Sequence, residues 1–176
     1  MTRISIRKNK RNPAVATTNR ITGFPPIVNE RCTVLILGTL PGTKAIQKQE
    51  SYGNIHNHFW PIMMKLLKGN LKWDYSRRLH WLLKHKIALW DVYESGFRDG
   101  AADSTIKEPK LNNFEAFFKI YPSVEHIFCN GKESFGTFVN RFGHLKKEIH
   151  YLPSTSPALA KSLEWKLKHW AAVLLP

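Results

Sequence analysis

The sequence has no long apolar run and few cysteines. Its longest apolar stretches, such as Val34-Leu35-Ile36-Leu37, have the length of a β-strand. None approaches the roughly 20 residues that a membrane-spanning helix needs. The two cysteines, Cys32 and Cys129, cannot alone supply the four ligands of a structural zinc or iron–sulfur site. Because both flank strand-like runs and no signal peptide precedes them, we expect buried, inert thiols in a reducing compartment.

Acidic residues are scarce relative to basic residues. The chain carries 13 Asp and Glu against 27 Lys and Arg, a formal net charge of +14. A surplus of this size attracts polyanions. Nucleic acid is the first candidate partner, because neutralising phosphates releases condensed counterions. An anionic membrane surface is the second.

Residues 1–26 differ from the rest and are predicted to form a basic, disordered arm. No acid occurs before Glu30, apolar periodicity is weak, and the segment ends in Phe24-Pro25-Pro26. The arm either follows a DNA backbone or serves as an organelle-targeting peptide, and both functions fit this composition. Its cations are Arg3, Arg7, Lys8, Lys10, Arg11 and Arg20. Residues 27–176 are expected to form one domain.

Strand-like and helix-like segments alternate after residue 27. Strands are predicted at residues 33–37, 87–92, 124–129 and 149–152. Helices are predicted at residues 59–67, 79–85, 114–121, 133–142 and 158–175, and residues 93–110 are expected to be a polar loop. This alternation predicts an α/β fold with a parallel sheet covered on both faces. Ligands of such sheets bind at the carboxyl ends of the strands.

Three segments carry side chains that could bind a ligand or take part in catalysis. Two of them follow predicted strands, and the third precedes the helix predicted at residue 59. The first strand runs into the turn Gly38, Thr39, Leu40, Pro41 and Gly42, which lets backbone N–H groups approach a ligand but could equally be an ordinary strand-to-helix turn. Tyr52 offers a ring face for stacking, and Asn57 offers a carboxamide, or else caps the following helix. After the last strand, Ser154, Thr155, Ser156 and Pro157 could bind a phosphate or form a simple hydroxyl-capped turn. Leu159 is either a wedge into stacked bases or a core residue.

At these positions the sequence resembles the DNA-deoxyinosine (hypoxanthine-DNA) glycosylase family of the uracil-DNA glycosylase superfamily, from about Val34 to Trp170. The resemblance rests on five short motifs in a fixed order. They are Leu35-Ile36-Leu37-Gly38-Thr39-Leu40-Pro41-Gly42, Tyr52-Gly53 with Asn57-His58-Phe59-Trp60, Ala88-Leu89-Trp90-Asp91-Val92, Asn130-Gly131-Lys132, and Leu152-Pro153-Ser154-Thr155-Ser156-Pro157-Ala158.

The resemblance implies a three-layer α/β/α sandwich with a central, mainly parallel four-stranded sheet. It implies a monofunctional glycosylase that flips a deaminated base from double-stranded DNA and hydrolyses its N-glycosidic bond, with no cofactor and no metal. Asn57 then takes the catalytic position. The turn 38–42 and Tyr52 contact the base, and Ser154 to Leu159 contact DNA. We expect a monomer located wherever DNA is, in a bacterial cytoplasm, a nucleus or an organelle.

Departures from the superfamily pattern point to one branch. Leu40 stands where many relatives carry an Asp or Asn that orients water, and Ser and Thr stand where several relatives carry a His. Both changes suit the hypoxanthine branch, and the two cysteines exclude the iron–sulfur branches. Leu159 stands where an Asn is expected.

Asp91 ends the second strand and is predicted to accept the ring N–H of hypoxanthine or uracil, which adenine lacks. Its alternative is a buried acid that caps a neighbouring loop. Two other functions remain open at this point. One is a mismatch-type uracil or thymine glycosylase, and the other is a non-catalytic nucleic-acid-binding module.

Overall fold

The computed structural model describes residues 20–98 and 103–174. These residues form seven strands and six α-helices. The strands are β1 (Arg20–Thr22), β2 (Val34–Gly38), β3 (Ile87–Asp91), β4 (Tyr93–Arg98), β5 (Ile106–Leu111), β6 (His126–Asn130) and β7 (Glu148–Leu152). The helices are α1 (Thr43–Lys48), α2 (Phe59–Leu66), α3 (Tyr75–Lys84), α4 (Phe114–Ile120), α5 (Lys132–Phe142) and α6 (Leu163–Leu174).

The central sheet contains four parallel strands in the order β3-β2-β6-β7. These are the four strands predicted from sequence, and their observed ends differ from the predicted ones by no more than two residues. The register aligns Gly38 with Asp91 and Asn130 with Leu152. The strand ends that carry the candidate site residues therefore meet at one edge of the sheet.

Helices cover both faces of this sheet, which confirms the predicted three-layer α/β/α sandwich. Leu35 and Leu37 pack on one face with the phenylalanines of α4 and α5. Ile36 points to the other face, where it packs with residues of α2, α3 and α6 that include the fully buried Trp170. This in-and-out alternation is what a strand buried on both faces requires. Each such side chain contributes about 1.5–3 kcal/mol by leaving water.

A second, antiparallel sheet in the order β1-β4-β5 corrects the prediction of a polar loop at residues 93–110. The loop prediction failed because β5 is an edge strand whose central residues, from Lys107 to Lys110, are exposed and polar. Pro109 lies within it, and proline is tolerated at an edge because its missing N–H is not needed there.

The packed domain begins earlier than the predicted boundary at residue 27. Arg20–Thr22 pairs with β4, and the Trp90 indole N–H donates to the Phe24 carbonyl at 3.2 Å. Ile27 forms a bridge with Leu89 of the central sheet. Residues 20–26 therefore belong to the fold, and the rest of the predicted arm, residues 1–19, lies outside the described residues.

Helix α6 also begins later than predicted, at Leu163 rather than Ala158. The Ser162 hydroxyl accepts from the Trp165 N–H at 3.2 Å, which is the bond of a helix N-cap. The residues between Pro157 and Ser162 instead continue the loop that follows β7. Within residues 20–98 and 103–174, no helix combines the length and apolarity that crossing a membrane requires.

Candidate active site

A cavity of about 350 Å³ opens at the carboxyl edge of the central sheet. Most of the residues predicted from sequence line it, and Leu159 is not among the lining residues. The predicted residues that the structure brings together here are Gly38, Thr39, Leu40, Pro41, Gly42, Tyr52, Asn57, Asp91, Ser154, Thr155, Ser156 and Pro157. Their individual roles remain predictions.

Gly38 is required by the close approach of two side chains. A Cβ atom at this position would lie 2.3 Å from Oδ1 of Asp91 and 3.0 Å from the hydroxyl oxygen of Tyr52. The first of these distances is a steric clash with a group held by the strand pairing of Gly38 and Asp91. The glycine therefore makes room for the carboxyl group at the floor of the cavity.

Tyr52 has a left-handed backbone, with φ of 58°, and its ring stacks on Phe59. The two ring centroids lie 3.8 Å apart, and the ring planes differ by 15°. Since Phe59 covers one face of the Tyr52 ring, a base can stack only on the other face. Burial raises the pKa of the Tyr52 hydroxyl far above its ordinary value, and the Asp91 carboxylate raises it further. The phenol therefore stays neutral at physiological pH.

The Asp91 carboxyl is the most perturbed acid of the cavity. Burial, and then the negative charge of Asp103, raise its pKa from 3.8 to about 7, against an opposing effect of the Arg98 guanidinium. The side chain thus changes charge within the physiological range. Its backbone carbonyl accepts from the Asn112 side chain at 2.8 Å, which ties the end of β3 to the start of α4.

Arg98 and Asp103 are functional candidates that the sequence interpretation missed. The Arg98 guanidinium contacts an Asp103 carboxylate oxygen at 2.7 Å and donates to the Leu40 carbonyl, and the arginine side chain is 5% exposed. The Thr39 hydroxyl donates to the other Asp103 oxygen at 2.9 Å. This network holds the turn 38–42 in place. Both residues lie within the segment predicted as a polar loop, so no strand pattern pointed to them.

Asn57 lines the cavity, and its side chain also bonds to the backbone at the start of α2. Its side-chain oxygen accepts from the Phe59 N–H at 2.9 Å. A carboxamide oxygen has two lone pairs, and the NH2 group has two further donors. The bond to Phe59 therefore orients the amide and leaves it able to bind water or a ligand. The N-cap of α2 is His58, so the capping alternative for Asn57 is not what the structure shows. The catalytic role of Asn57 stays a prediction.

The loop after β7 is held by bonds from three elements. Asn130, at the end of β6, exchanges two bonds of 2.9 Å with the hydroxyl and N–H of Thr155. The His58 N–H donates to the Thr155 carbonyl at 3.0 Å. From α6, the Lys166 ammonium donates to the Ser156 carbonyl at 2.8 Å. Thr155 is fully buried, so it shapes the loop, and the Ser154 and Ser156 hydroxyls are the more exposed ones.

Both cysteines are buried and free, as expected. Burial raises the pKa of the Cys129 thiol to about 12, so that it stays protonated and inert.

The fold and the position of the cavity define the class of protein. A solution NMR structure of a candidate uracil DNA glycosylase from Methanosarcina acetivorans superposes with a TM-score of 0.79 at 32% identity. The match covers 88% of this chain and 96% of that one. This chain therefore has the uracil-DNA glycosylase fold.

Two curated relatives identify the family within that class. A hypoxanthine DNA glycosylase of Methanosarcina barkeri is 35% identical over 150 residues, which is 85% of this chain and 94% of the relative. A second, from Methanosarcina acetivorans, is 34% identical over 152 residues, or 86% of this chain and 96% of the relative. The chain belongs to the hypoxanthine DNA glycosylase family. No protein-family model matches the sequence.

Proposed function

We propose that this chain is a monofunctional DNA glycosylase that releases hypoxanthine from deoxyinosine in double-stranded DNA. Membership of the hypoxanthine DNA glycosylase family supports the reaction class. One observation carries the assignment to this site. An aromatic ring, a carboxamide and an acid of raised pKa, from Tyr52, Asn57 and Asp91, line one cavity at the carboxyl edge of the sheet.

The damaged nucleotide would leave the helix before any bond breaks. Flipping a base requires a few kcal/mol, and less for a mispaired base such as hypoxanthine. The cavity volume of about 350 Å³ lies within the usual range for small-ligand sites. In it, the open face of Tyr52 would stack on the base, an interaction worth roughly 1–3 kcal/mol.

Base selection would depend on Asp91. Its carboxylate would accept the N1–H of hypoxanthine, a donor that adenine lacks. Guanine has this donor but is stably paired with cytosine, so the energy of flipping disfavours its entry. The same carboxylate could accept the ring N–H of uracil, which makes uracil a second candidate substrate.

The reaction would add water across the N-glycosidic bond. The electron pair of the bond leaves with the base, and the sugar gains positive character until the water oxygen bonds to its anomeric carbon. One water proton ends on the departing base, and the other stays on the new hydroxyl group of the sugar. Asn57 would orient this water through its carboxamide. The backbone N–H groups of the turn 38–42 are fixed donors near the leaving base, of the kind that stabilises developing negative charge.

Contacts with DNA are proposed for the loop after β7. Ser154 and Ser156 present hydroxyls at the rim of the cavity, and the net charge of +14 favours a polyanionic partner. Leu159 does not line the cavity. This position is compatible with a side chain that inserts between base pairs of the duplex while the flipped base occupies the cavity. A monomer suffices for this chemistry, because every proposed group comes from one chain.

The test is incubation with a duplex that carries one deoxyinosine, followed by alkali, which cleaves the strand at an abasic site. The parent should produce the cleaved strand, and Asn57→Ser should lose on the order of 100-fold or more of the single-turnover rate. Serine keeps an oxygen that can accept from the Phe59 N–H, so the melting temperature should change little. Asn57→Ala loses this hydrogen bond and should be equally slow and less stable by about 1 kcal/mol.

The outcomes separate the rival functions. Equal rates for Asn57→Ser and the parent would restrict Asn57 to a structural role, the bond to the Phe59 N–H. Duplexes with uracil or a G:T pair, run in parallel, would identify a mismatch-type glycosylase by faster cleavage. Band shifts of every duplex without any alkali-sensitive product would identify a non-catalytic binding module and contradict the proposal.

A further inference from the structure

Three potential metal ligands lie on β6 and β7, two of them at the amino ends of these strands and one in the middle of β7. His126 begins β6, and Glu148 and His150 lie on β7. The parallel register pairs His126 with Glu148 and Phe128 with His150. Because side chains alternate along a strand, the residues at 148 and 150 point to the same face of the sheet. The ligands therefore come from two neighbouring strands.

Their ligating atoms form a compact triangle. Oε2 of Glu148 lies 3.0 Å from Nδ1 of His126 and 3.9 Å from Nε2 of His150. The three ligating atoms all lie within 4.8 Å of one another. Tetrahedral zinc holds its ligands about 2.0–2.2 Å from the metal, which places them about 3.3 Å apart. Small side-chain rotations would bring this triangle to that size.

The two imidazole rings are supported in this arrangement. The His150 ring stacks on Phe128, with centroids 4.7 Å apart and planes 16° apart. The His126 and His150 rings are inclined by 29° at a centroid distance of 6.3 Å. The Glu148 side chain is 66% exposed, so solvent can complete the coordination of an ion. One carboxylate between two imidazoles, with an open fourth position, is a donor set that zinc accepts.

We propose that His126, Glu148 and His150 form a zinc-binding site with water as the fourth ligand. The ion would join the amino ends of β6 and β7 and stabilise the fold. His126 and Glu148 lie roughly 13 Å along the sheet from the strand ends at the cavity, and His150 roughly 7 Å, given the rise of about 3.3 Å per residue. The zinc therefore takes no part in base excision, and this proposal does not depend on the proposed function.

The test uses full-length protein without a polyhistidine tag, treated with chelator, dialysed and titrated with zinc chloride in a calorimeter. We expect one ion per chain and a melting temperature that rises by several degrees at saturating zinc. Each of His126→Gln, Glu148→Gln and His150→Gln should weaken zinc binding at least tenfold. Their melting temperatures in chelator show whether they fold.

His144→Gln is the matched control, because His144 faces only one of the described acids, Glu115, at 3.6 Å. It should bind zinc as the parent does. Excision of hypoxanthine should proceed at the same rate with zinc and with chelator. Absence of binding at millimolar zinc would overturn the proposal. So would affinity that persists in His150→Gln, since the ion would then bind elsewhere.

Discussion

At the scale of single residues, the function proposed for Asp91 conflicts with stability. Its carboxyl group is held where burial and the charge of Asp103 both disfavour ionisation. Above pH 7 the folded protein must nevertheless carry this charge. Natural proteins accept such costs at sites that need a particular charge. The conflict can be measured, because removing the carboxylate should have opposite effects on stability and on activity.

Asp91→Asn is expected to stabilise the protein above pH 7 and to abolish preference for inosine. The unfolded chain releases the Asp91 proton near pH 3.8 and the folded chain only near 7, so the folded state binds more protons between these values. Parent stability should therefore fall as pH rises from about 4 to 7, by an amount on the order of a few kcal/mol. The variant should lack this decline in melting experiments across that range.

The same ionisation should appear in the parent kinetics. If the carboxylate accepts the N1–H of hypoxanthine, kcat/KM on a deoxyinosine duplex should rise as pH increases through about 7 and then level off. A rate that falls over this range would mean that the neutral acid is the active form. Asp91→Asn with unchanged selectivity for inosine over adenine would remove the residue from base recognition.

At the scale of elements, the sequence predicted those features of the fold that hydrophobic periodicity and strand boundaries indicate. The central strands were recognisable because they are apolar and bounded by glycine or proline, as at Gly38 and Pro153. Asp91 was recognisable because it ends such a strand, and Asn57 because it lies just before a predicted helix. Arg98 and Asp103 were not, because β4 and β5 carry few apolar residues and β5 is largely exposed, so that no strand pattern marks this segment. Their ion pair joins residues five positions apart, a spacing that neither helix nor strand periodicity predicts.

Helix α6 supports the loop after β7, which is proposed to contact DNA, through tertiary contacts that the sequence did not reveal. Lys166 is fully buried and donates to the Ser156 carbonyl at 2.8 Å. Nearby, the Trp170 indole donates to the Pro153 carbonyl at 2.8 Å. Burial lowers the pKa of the Lys166 ammonium. A buried ammonium is unfavourable for stability unless its partners compensate for lost hydration, which suggests that it is retained to position the loop.

Lys166→Met is expected to disturb the position of the loop after β7 without impairing folding. Methionine fills a similar volume without a charge, so the melting temperature should stay the same or rise. The loop should lose its bond at Ser156, and kcat/KM on the deoxyinosine duplex should fall about tenfold or more through weaker DNA binding. Lys168→Met removes an exposed lysine of the same helix and should leave kcat/KM within about twofold. Activity that falls only in proportion to a lower melting temperature would indicate a purely structural lysine.

At the scale of the whole molecule, the excess of positive charge is expected to set the strength and salt dependence of DNA binding. Of the 27 Lys and Arg residues, five lie in residues 1–19, which contain no acid. Deleting this segment lowers the formal net charge from +14 to +9. The deletion spares β1, which begins at Arg20, and all residues that line the cavity. The rate of base excision and the contribution of residues 1–19 to DNA binding can therefore be measured separately.

If the arm follows the DNA backbone, deleting residues 1–19 should weaken binding to undamaged duplex and reduce its salt dependence. Each phosphate contact contributes about 0.9 to the slope of log affinity against log salt, so the slope should become shallower by up to about four. Excision at saturating DNA should keep its rate. Replacing the five cations by glutamine at full length should reproduce the effect, because charge rather than length causes it. An unchanged slope in both variants would favour the alternative that the segment is a targeting peptide, since such a peptide acts before the protein reaches DNA.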